Sequence, residues 1–183
     1  NGLEESPVMR LGEEAVIKSI GNSTTAPRDI VSLEDAKITM RVLSESVAAR
    51  LREQGLACTT VQIWIRDTAL ESCVRQMGLA RPSQISTRIY AAAMRLLAAN
   101  HDWQLPLRSL GVRAMNLVTA HGPQQLSLEF FDSISEEKGK YLEEAIDDIR
   151  RRFGHYSIQR AIMLTDPGLV INPQEHINPV RPD

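Results

Sequence analysis

Histidine and cysteine, the side chains that most often act as nucleophiles or metal ligands, are few in this sequence and lie far apart. Cys58 and Cys73 have no histidine motif beside them, so we expect reduced thiols in the core or at a strand edge. No P-loop, dinucleotide fingerprint or nucleophile elbow occurs. The histidines lack the spacing of a metal site; they are His101, His121, His155 and His176. The chain alone is therefore expected to be non-catalytic, with no metal, no cofactor and no small-molecule substrate.

Adjacent carboxylates occur at Glu143-Glu144 and Asp147-Asp148, inside a helical pattern from about Ser135 to Phe153. Basic residues are interleaved with them, which is typical of the solvent face of a helix. We therefore expect these carboxylates to be solvated rather than catalytic. The apolar residues expected to face inward on this helix are Leu142, Ala145, Ile146, Ile149 and Phe153.

Phosphate binding is a chemistry that several hydroxyl, glycine and arginine residues would support. Gly21 and Gly111 have no Cβ, so the backbone at these positions can approach a phosphate closely. The hydroxyl donors are Ser19, Ser23 and Ser109, and the charges come from Arg75, Arg108 and Arg113. These residues do not form the paired base-edge fingerprint of a recognition helix. We therefore expect binding that does not depend on nucleotide sequence.

The elements that must position these residues follow from periodicity. Residues 18–25 are short, β-branched and hydroxyl-rich, which predicts a strand closed by Pro27. Ser32 is a candidate N-cap of a helix that ends at Gly55. The apolar face predicted for this helix consists of Leu33, Ala36, Met40, Leu43, Val47 and Leu51.

Two strands, a second helix and a last strand follow this first strand and helix. Residues 58–66 alternate, with Thr60, Gln62, Trp64 and Arg66 on the outer side, which predicts a half-buried strand. A weaker strand follows over residues 70–79, across a turn at Asp67-Thr68. A helix begins at Ser83 or Ser86 and ends at Asn100, and residues 107–118 form the last strand. The residues of this helix expected to face inward are Ile89, Ala93, Leu96 and Leu97.

The resulting order βαββαβ predicts an α+β fold with a four-stranded antiparallel sheet. Two helices cover one face of this sheet and leave the other face open as a binding surface. A C-terminal helical extension follows, then an irregular tail with a short strand around Ile162.

Charge is distributed unevenly along the 183 residues. The formal net charge of −2 combines a basic segment, residues 18–118 at +5, with acidic ends, residues 1–17 at −3 and residues 119–183 at −4. A basic centre favours binding of an anionic partner. No apolar run approaches the ~18 residues of a spanning helix, so we expect no membrane contact and a cytoplasmic location. The start at Asn1, without a leader, suggests a piece of a longer parent.

Three segments together resemble the C-terminal part of the Y-family translesion DNA polymerases, the group that includes bacterial DNA polymerase IV and the UV-mutagenesis polymerases. Lys18-Ser19-Ile20-Gly21 looks like the entry to the family's little finger domain, with residues 22–25 following. Val74-Arg75-Gln76 is a weaker match to an arginine-bearing strand, and residues 107–113 are similar to the strand that closes the domain. The resemblance adds Lys18, Asn22, Thr24 and Gln76 to the expected DNA-binding residues.

This resemblance implies a domain organisation and partners. Residues 1–17 would be the end of the thumb and its linker, residues 18–118 the little finger, and residues 119–183 a clamp-motif segment, helix and tail. Duplex DNA is the implied partner. The palm, which would hold Mg²⁺ and carry DNA polymerase activity in the parent, is outside this chain.

A further segment, residues 125–130, fits the Gln-Leu-x-Leu-x-Phe form of the bacterial sliding-clamp motif. The residues implied to contact the clamp are Gln125, Leu126, Leu128 and Phe130. A competing interpretation has the alternating apolar residues packed as a strand on the following helix.

Two other function classes fit the predicted topology. A stand-alone module that binds single-stranded RNA can share the βαββαβ order, but it stacks bases on aromatic residues. Aromatic residues make up only 4% of this chain, and Trp64 is the one candidate on a predicted strand. The third class is a protein-interaction module built from the acidic C-terminal region.

Overall fold

The computed structural model describes residues 17–120 and 130–170, with the backbone alone for residues 130–136. The first unit comprises β1 (Ser19–Ile30), α1 (Leu33–Glu53), β2 (Leu56–Asp67), β3 (Ser72–Ser83), α2 (Ser86–Asn100) and β4 (Leu107–Thr119). The extension comprises α3 (Phe130–Phe153) and three 3-10 turns: His155–Ser157, Ala161–Leu164 and Pro167–Leu169.

The four strands form one antiparallel sheet in the order β1-β4-β2-β3. Helices α1 and α2 pack on the same face. The predicted α+β fold is therefore confirmed, with its C-terminal helix. No helix in the described part of the chain is long and apolar enough to span a membrane.

The core lies between the sheet and the two helices. Val61, Ile63 and Ile65 of β2 point into it, as their alternation predicts. The predicted apolar faces of α1 and α2 are buried there too, apart from Leu33, which is partly buried. Both cysteines are free, as expected, and burial raises the pKa of the Cys58 thiol to about 12.

The ends of α1 follow the sequence signals. The hydroxyl of Ser32 accepts a hydrogen bond from the backbone N–H of Asp35, 3.2 Å away. Gly55 follows the helix with a φ of 64°, a conformation that glycine adopts without steric cost.

Two strand boundaries differ from the prediction. β1 continues past Pro27 to Ile30, with a register shift against β4 after Thr25. β1 is an edge strand, so a proline there removes no hydrogen bond from the sheet interior. β3 runs from Ser72 to Ser83 because the hairpin loop is longer than two residues; the backbone N–H of Glu71 donates to the side chain of Asp67 at 2.9 Å.

Arg28 connects the end of β1 to both α1 and the extension. Its guanidinium binds Asp35 in the first turn of α1 at 2.9 Å and Asp166, before the last 3-10 turn, at 2.7 Å. These hydrogen bonds hold the pKa of each carboxyl below its ordinary value. Their contribution to stability is therefore present at neutral pH and is lost as the pH falls through the folded-state pKa values.

The orientation of α3 contradicts the sequence prediction. Of the residues expected to face inward, Leu142, Ala145 and Phe153 are exposed and Ile146 and Ile149 are partly buried, whereas Glu143 is buried. Glu144 and Asp148 are exposed as predicted, but Glu143 and Asp147 bind α1. The residues around Ile162 form a 3-10 turn rather than a strand. The charged side of the helix is therefore the side that packs on the domain.

A cluster of buried ion pairs explains that orientation. Arg52 of α1 donates to both oxygens of Asp147, at 2.6 and 2.9 Å, and to Glu143 at 3.0 Å. Glu45, two turns earlier on α1, accepts from Arg150 at 2.8 Å and from Arg160 at 2.6 Å. We call these six side chains, together with Arg41 of α1, the arginine–carboxylate cluster. It joins residues 143–160 to the helical layer.

We expect Arg52→Leu to destabilise the protein by about 3 kcal/mol or more, because it removes the cation of Asp147 and leaves buried Glu143 with only the longer ion pair to Arg160. The measurement is urea unfolding followed by circular dichroism. Arg151→Leu is the matched control, since Arg151 is 73% exposed and pairs with exposed Asp148. It should cost less than about 1 kcal/mol. Equal losses in the two variants would contradict the assignment of the docking energy to the cluster.

Candidate functional site

The open face of the sheet carries polar residues from all four strands. Pairing places Gln62 of β2 between Arg113 of β4 and Gln76 of β3. Trp64 lies in the same way between Gly111 and Val74. Because paired residues point to the same side of a sheet, these rows form one continuous surface opposite the helices. We call it the open face.

A shallow groove of about 650 Å³ lies on the open face. Residues of all four strands line it, and Arg50 of α1 closes one end. The guanidinium of Arg50 donates to the backbone carbonyl of Gly21 at 3.0 Å, which ties β1 to α1.

Two glycines make room in this groove. A Cβ on Gly111 would lie 3.0 Å from the Cβ of Ser23 and 3.5 Å from the ring of Trp64. A Cβ on Gly21 would lie 3.2 Å from Cβ and Cγ of Arg113. Gly111 therefore allows Trp64 and Ser23 to lie over β4, and Gly21 allows Arg113 to lie across β1. The groups that lie close to the backbone at these glycines are side chains of the sheet itself, and they leave the groove shallow.

Two arginines supply the positive charge of the open face. Arg113 is exposed and makes no hydrogen bond with any described residue. Arg66 lies at the end of the β2 row, where its Nε donates to the Ser72 hydroxyl at 3.2 Å and its Cζ is 5.6 Å from the centre of the Trp64 ring. Both guanidiniums point to solvent on the same side of the sheet.

One of the arginines expected in the site lies on the opposite side of the sheet. Arg75 pairs in register with the core residue Ile63 and donates to Asn100 at the end of α2. Arg108 lies where the register of β4 shifts, and it pairs with Asp29 at 3.2 Å. Asp29 alternates with Arg28 and Ile30, which face α1 and the core, so this ion pair lies on the side away from the helices. Strand alternation therefore separates Arg75 from the other predicted arginines, and Arg108 is engaged by Asp29.

The other predicted residues are divided in the same way. Ser19, Ser23, Ser109 and Gln76 belong to the open face, where the Ser109 and Thr25 hydroxyls lie 3.0 Å apart. Asn22 points toward the helices and donates to the Ser46 hydroxyl at 3.0 Å. Thr24 alternates with Ser23, and Lys18 is exposed just before β1.

Four residues of the open face were missed as site residues by the sequence analysis: Thr25, Gln62, Trp64 and Arg66. The signal for three of them was present, since the period-two pattern of residues 58–66 already put Gln62, Trp64 and Arg66 on the outer side. Their link to Arg113 depends on β4 lying beside β2, which the element order alone does not give.

Most of the predicted clamp motif, including Gln125, Leu126 and Leu128, lies outside the described residues. Phe130 is the first residue of α3, and its side chain is likewise outside the description. The motif therefore stays a prediction.

Comparisons with known proteins agree with the fold. The chain is 44% identical over 169 residues to a DNA polymerase IV of Acetivibrio thermocellus, covering 92% of this chain and 42% of that protein. A DNA polymerase IV of Pelotomaculum thermopropionicum is 32% identical over 170 residues, covering 93% of this chain and 41% of the relative. The chain thus spans about two fifths of these relatives.

A solved complex of a beta-clamp processivity factor with the little finger domain of PolIV is similar at a TM-score of 0.47 and 16% identity, covering 61% of this chain and 99% of that one. The family model described as the impB/mucB/samB family C-terminal domain matches residues 17–128, which is more than half of the chain. On this match the chain belongs to the impB/mucB/samB family, and residues 17–128 are its C-terminal domain, the little finger domain of Y-family polymerases.

Proposed function

We propose that the open face binds the phosphate backbone of duplex DNA without sequence preference, as the little finger domain of a translesion DNA polymerase. The observation that carries this proposal is the surface itself, a polar sheet face on which Arg113 and Arg66 lie on either side of Trp64. Charged and hydroxyl donors on a shallow surface suit phosphates, whereas base readout needs side chains that enter a groove.

The relatives support the partner. Those that match over most of this chain are DNA polymerases IV, and a domain of such an enzyme must hold any template. Sequence-independent contacts meet that requirement. The parent enzyme would act in the cytoplasm on chromosomal DNA, and its metal-dependent chemistry would belong to a palm domain outside this chain.

A single-strand-binding function of the RNA-recognition type fits the open face less well. Such modules stack two or three bases on aromatic residues of the central strands. Among the strand residues of this sheet, Trp64 is the one aromatic side chain. It lies against Gly111, close beneath Ser23, which leaves less of its ring for stacking.

We further propose that residues 125–130 bind the bacterial sliding clamp. The segment has a glutamine amide, which can both donate and accept hydrogen bonds, followed by apolar anchors at Leu128 and Phe130. Burial of each anchor contributes roughly 1.5–3 kcal/mol before the cost of ordering the segment. A micromolar affinity is the expected result.

The first prediction concerns the two arginines of the open face. Replacing Arg113 or Arg66 by Ala should weaken duplex binding and reduce the slope of log K against log salt by about one unit each, because each removes one phosphate contact. The measurement is fluorescence anisotropy with a labelled duplex at several salt concentrations. Arg75→Ala is the matched control on the opposite side of the sheet and should leave the slope unchanged. A slope that falls equally in all three variants would argue against the open face.

The second prediction separates the two glycines. Gly111→Ala should lower the melting temperature and shift tryptophan fluorescence, because its Cβ meets Ser23 at 3.0 Å inside the sheet. Gly21→Ala should lower the melting temperature less and should weaken duplex binding, because its Cβ would lie 3.2 Å from the Cβ and Cγ of Arg113 and would displace that side chain. Unchanged duplex affinity in Gly21→Ala would mean that the position of Arg113 over β1 does not matter for binding.

The third prediction tests the clamp motif. The triple variant Gln125→Ala, Leu128→Ala and Phe130→Ala should lose binding to the sliding clamp, measured by isothermal titration calorimetry, and keep its melting temperature. Leu142→Ala, which removes an exposed apolar side chain of α3, is the control and should retain binding. A large drop in the melting temperature of the triple variant would instead place these residues in the fold.

A further inference from the structure

Arg41, in the middle of α1, has no anionic partner among the described residues. Its Cζ lies 3.6 Å from the centre of the Tyr90 ring of α2. Its Nε and Nη1 atoms are buried and have no hydrogen-bond partner among the described residues. Stacking satisfies the face of the guanidinium, but its N–H donors point outward in the plane of the group. Buried donors without a partner are uncommon in folded proteins.

The carboxylate that a helix would normally offer to Arg41 is engaged elsewhere. Glu45 follows Arg41 by four residues, the spacing at which oppositely charged side chains pair. One oxygen of Glu45 accepts from Arg160 at 2.6 Å and the other from Arg150 at 2.8 Å. Glu143 is occupied in the same way by Arg52, Arg160 and the hydroxyl of Ser86. In the docked extension, Arg150 and Arg160 therefore bind Glu45, the carboxylate that would otherwise pair with Arg41.

Charge within the arginine–carboxylate cluster leaves an excess of one cation. The described members are four guanidiniums, those of Arg41, Arg52, Arg150 and Arg160, and three carboxylates, those of Glu45, Glu143 and Asp147. Burial and the positive charge of Arg160 lower the pKa of Arg41. A guanidinium stays protonated all the same, so the described members of the cluster carry a net charge of +1 that favours an anion.

We propose that Arg41 and Arg160, beside Tyr90, bind a small oxyanion, a phosphate or a carboxylate group. Arg160 brings a second guanidinium to this point and is 30% exposed, so an ion has access from solvent along it. Charge-assisted hydrogen bonds from arginine to oxyanions are among the stronger ones in proteins. The site is on the helical layer, on the other side of the sheet from the open face, so it is separate from the proposed DNA surface.

The experiment is a thermal melt of the purified chain in increasing sodium phosphate or, in a second arm, sodium acetate, with ionic strength held constant by sodium chloride. We expect a rise that follows ln(1 + c/Kd), where c is the oxyanion concentration, and reaches about 3 °C at tenfold excess over Kd in at least one arm. The arm with the larger rise at equal concentration identifies the preferred group. The Arg41 Nε–H resonance, followed by NMR in the same titration, should shift to saturation, and the Kd from that shift should account for the rise in melting temperature.

Arg41→Met keeps the stem against Tyr90 and removes the charge. In chloride it should be at least as stable as the parent chain, and its melting temperature should not rise with either oxyanion. Arg95→Met removes an exposed arginine of α2 and should behave like the parent, which controls for general salt effects. A rise that is the same in Arg41→Met as in the parent, or neither a rise nor a shift of the Nε–H resonance in the parent, would overturn the proposal.

Discussion

A four-stranded sheet that is covered on one side only is the constraint on which the rest of this structure depends. Every strand residue must point either to the helices or to solvent, and the choice alternates along the chain. Residues 61, 63 and 65 of β2 belong to the core, so Gln62, Trp64 and Arg66 must lie outside. The open face exists because no element crosses it in the described part of the chain. The same alternation sends Arg75 to the helical side, although it is an exposed strand arginine like Arg113.

The helical side uses charge in a different way. On the open face, Arg113 remains solvated and available to a partner. Between α1 and α3, the guanidiniums of Arg52, Arg150 and Arg160 are matched with carboxylates and removed from water. Removing charges from water is unfavourable, and the attraction between them offsets that cost only when geometry is good and the other hydrogen bonds are made. The cluster therefore gives α3 a defined position more than it gives the domain stability. Arg41 is the member whose loss of hydration is not offset by an ion pair with a described carboxylate.

Because α3 packs on the domain by its charged side, several of its apolar side chains are exposed to solvent. Tyr141, Leu142 and Phe153 are 65%, 56% and 74% exposed, on a helix whose Glu143 is buried. This arrangement is the reverse of an ordinary amphipathic helix on a globular domain. It places the helix that follows the proposed clamp motif against the layer opposite the open face. The extension and the open face therefore occupy different sides of the domain, so a DNA partner and a protein partner need not compete for the same surface.

The sequence by itself determined the element order, the fold class, the core faces of α1 and α2 and the outward row of β2, because these depend on local periodicity and capping that each segment carries. It also carried the family resemblance, through short segments whose residues are adjacent in the chain. Tertiary structure alone decided which arginines share a face, since that depends on strand order and register. It also decided which side of α3 is buried. The periodicity of α3 favoured its apolar stripe, but Arg52 and Glu45 offered ion pairs to Asp147 and Arg150, which lie 95 and 105 residues away in sequence. A pairing between distant charges leaves no periodic signal in either segment, so only the folded chain shows it.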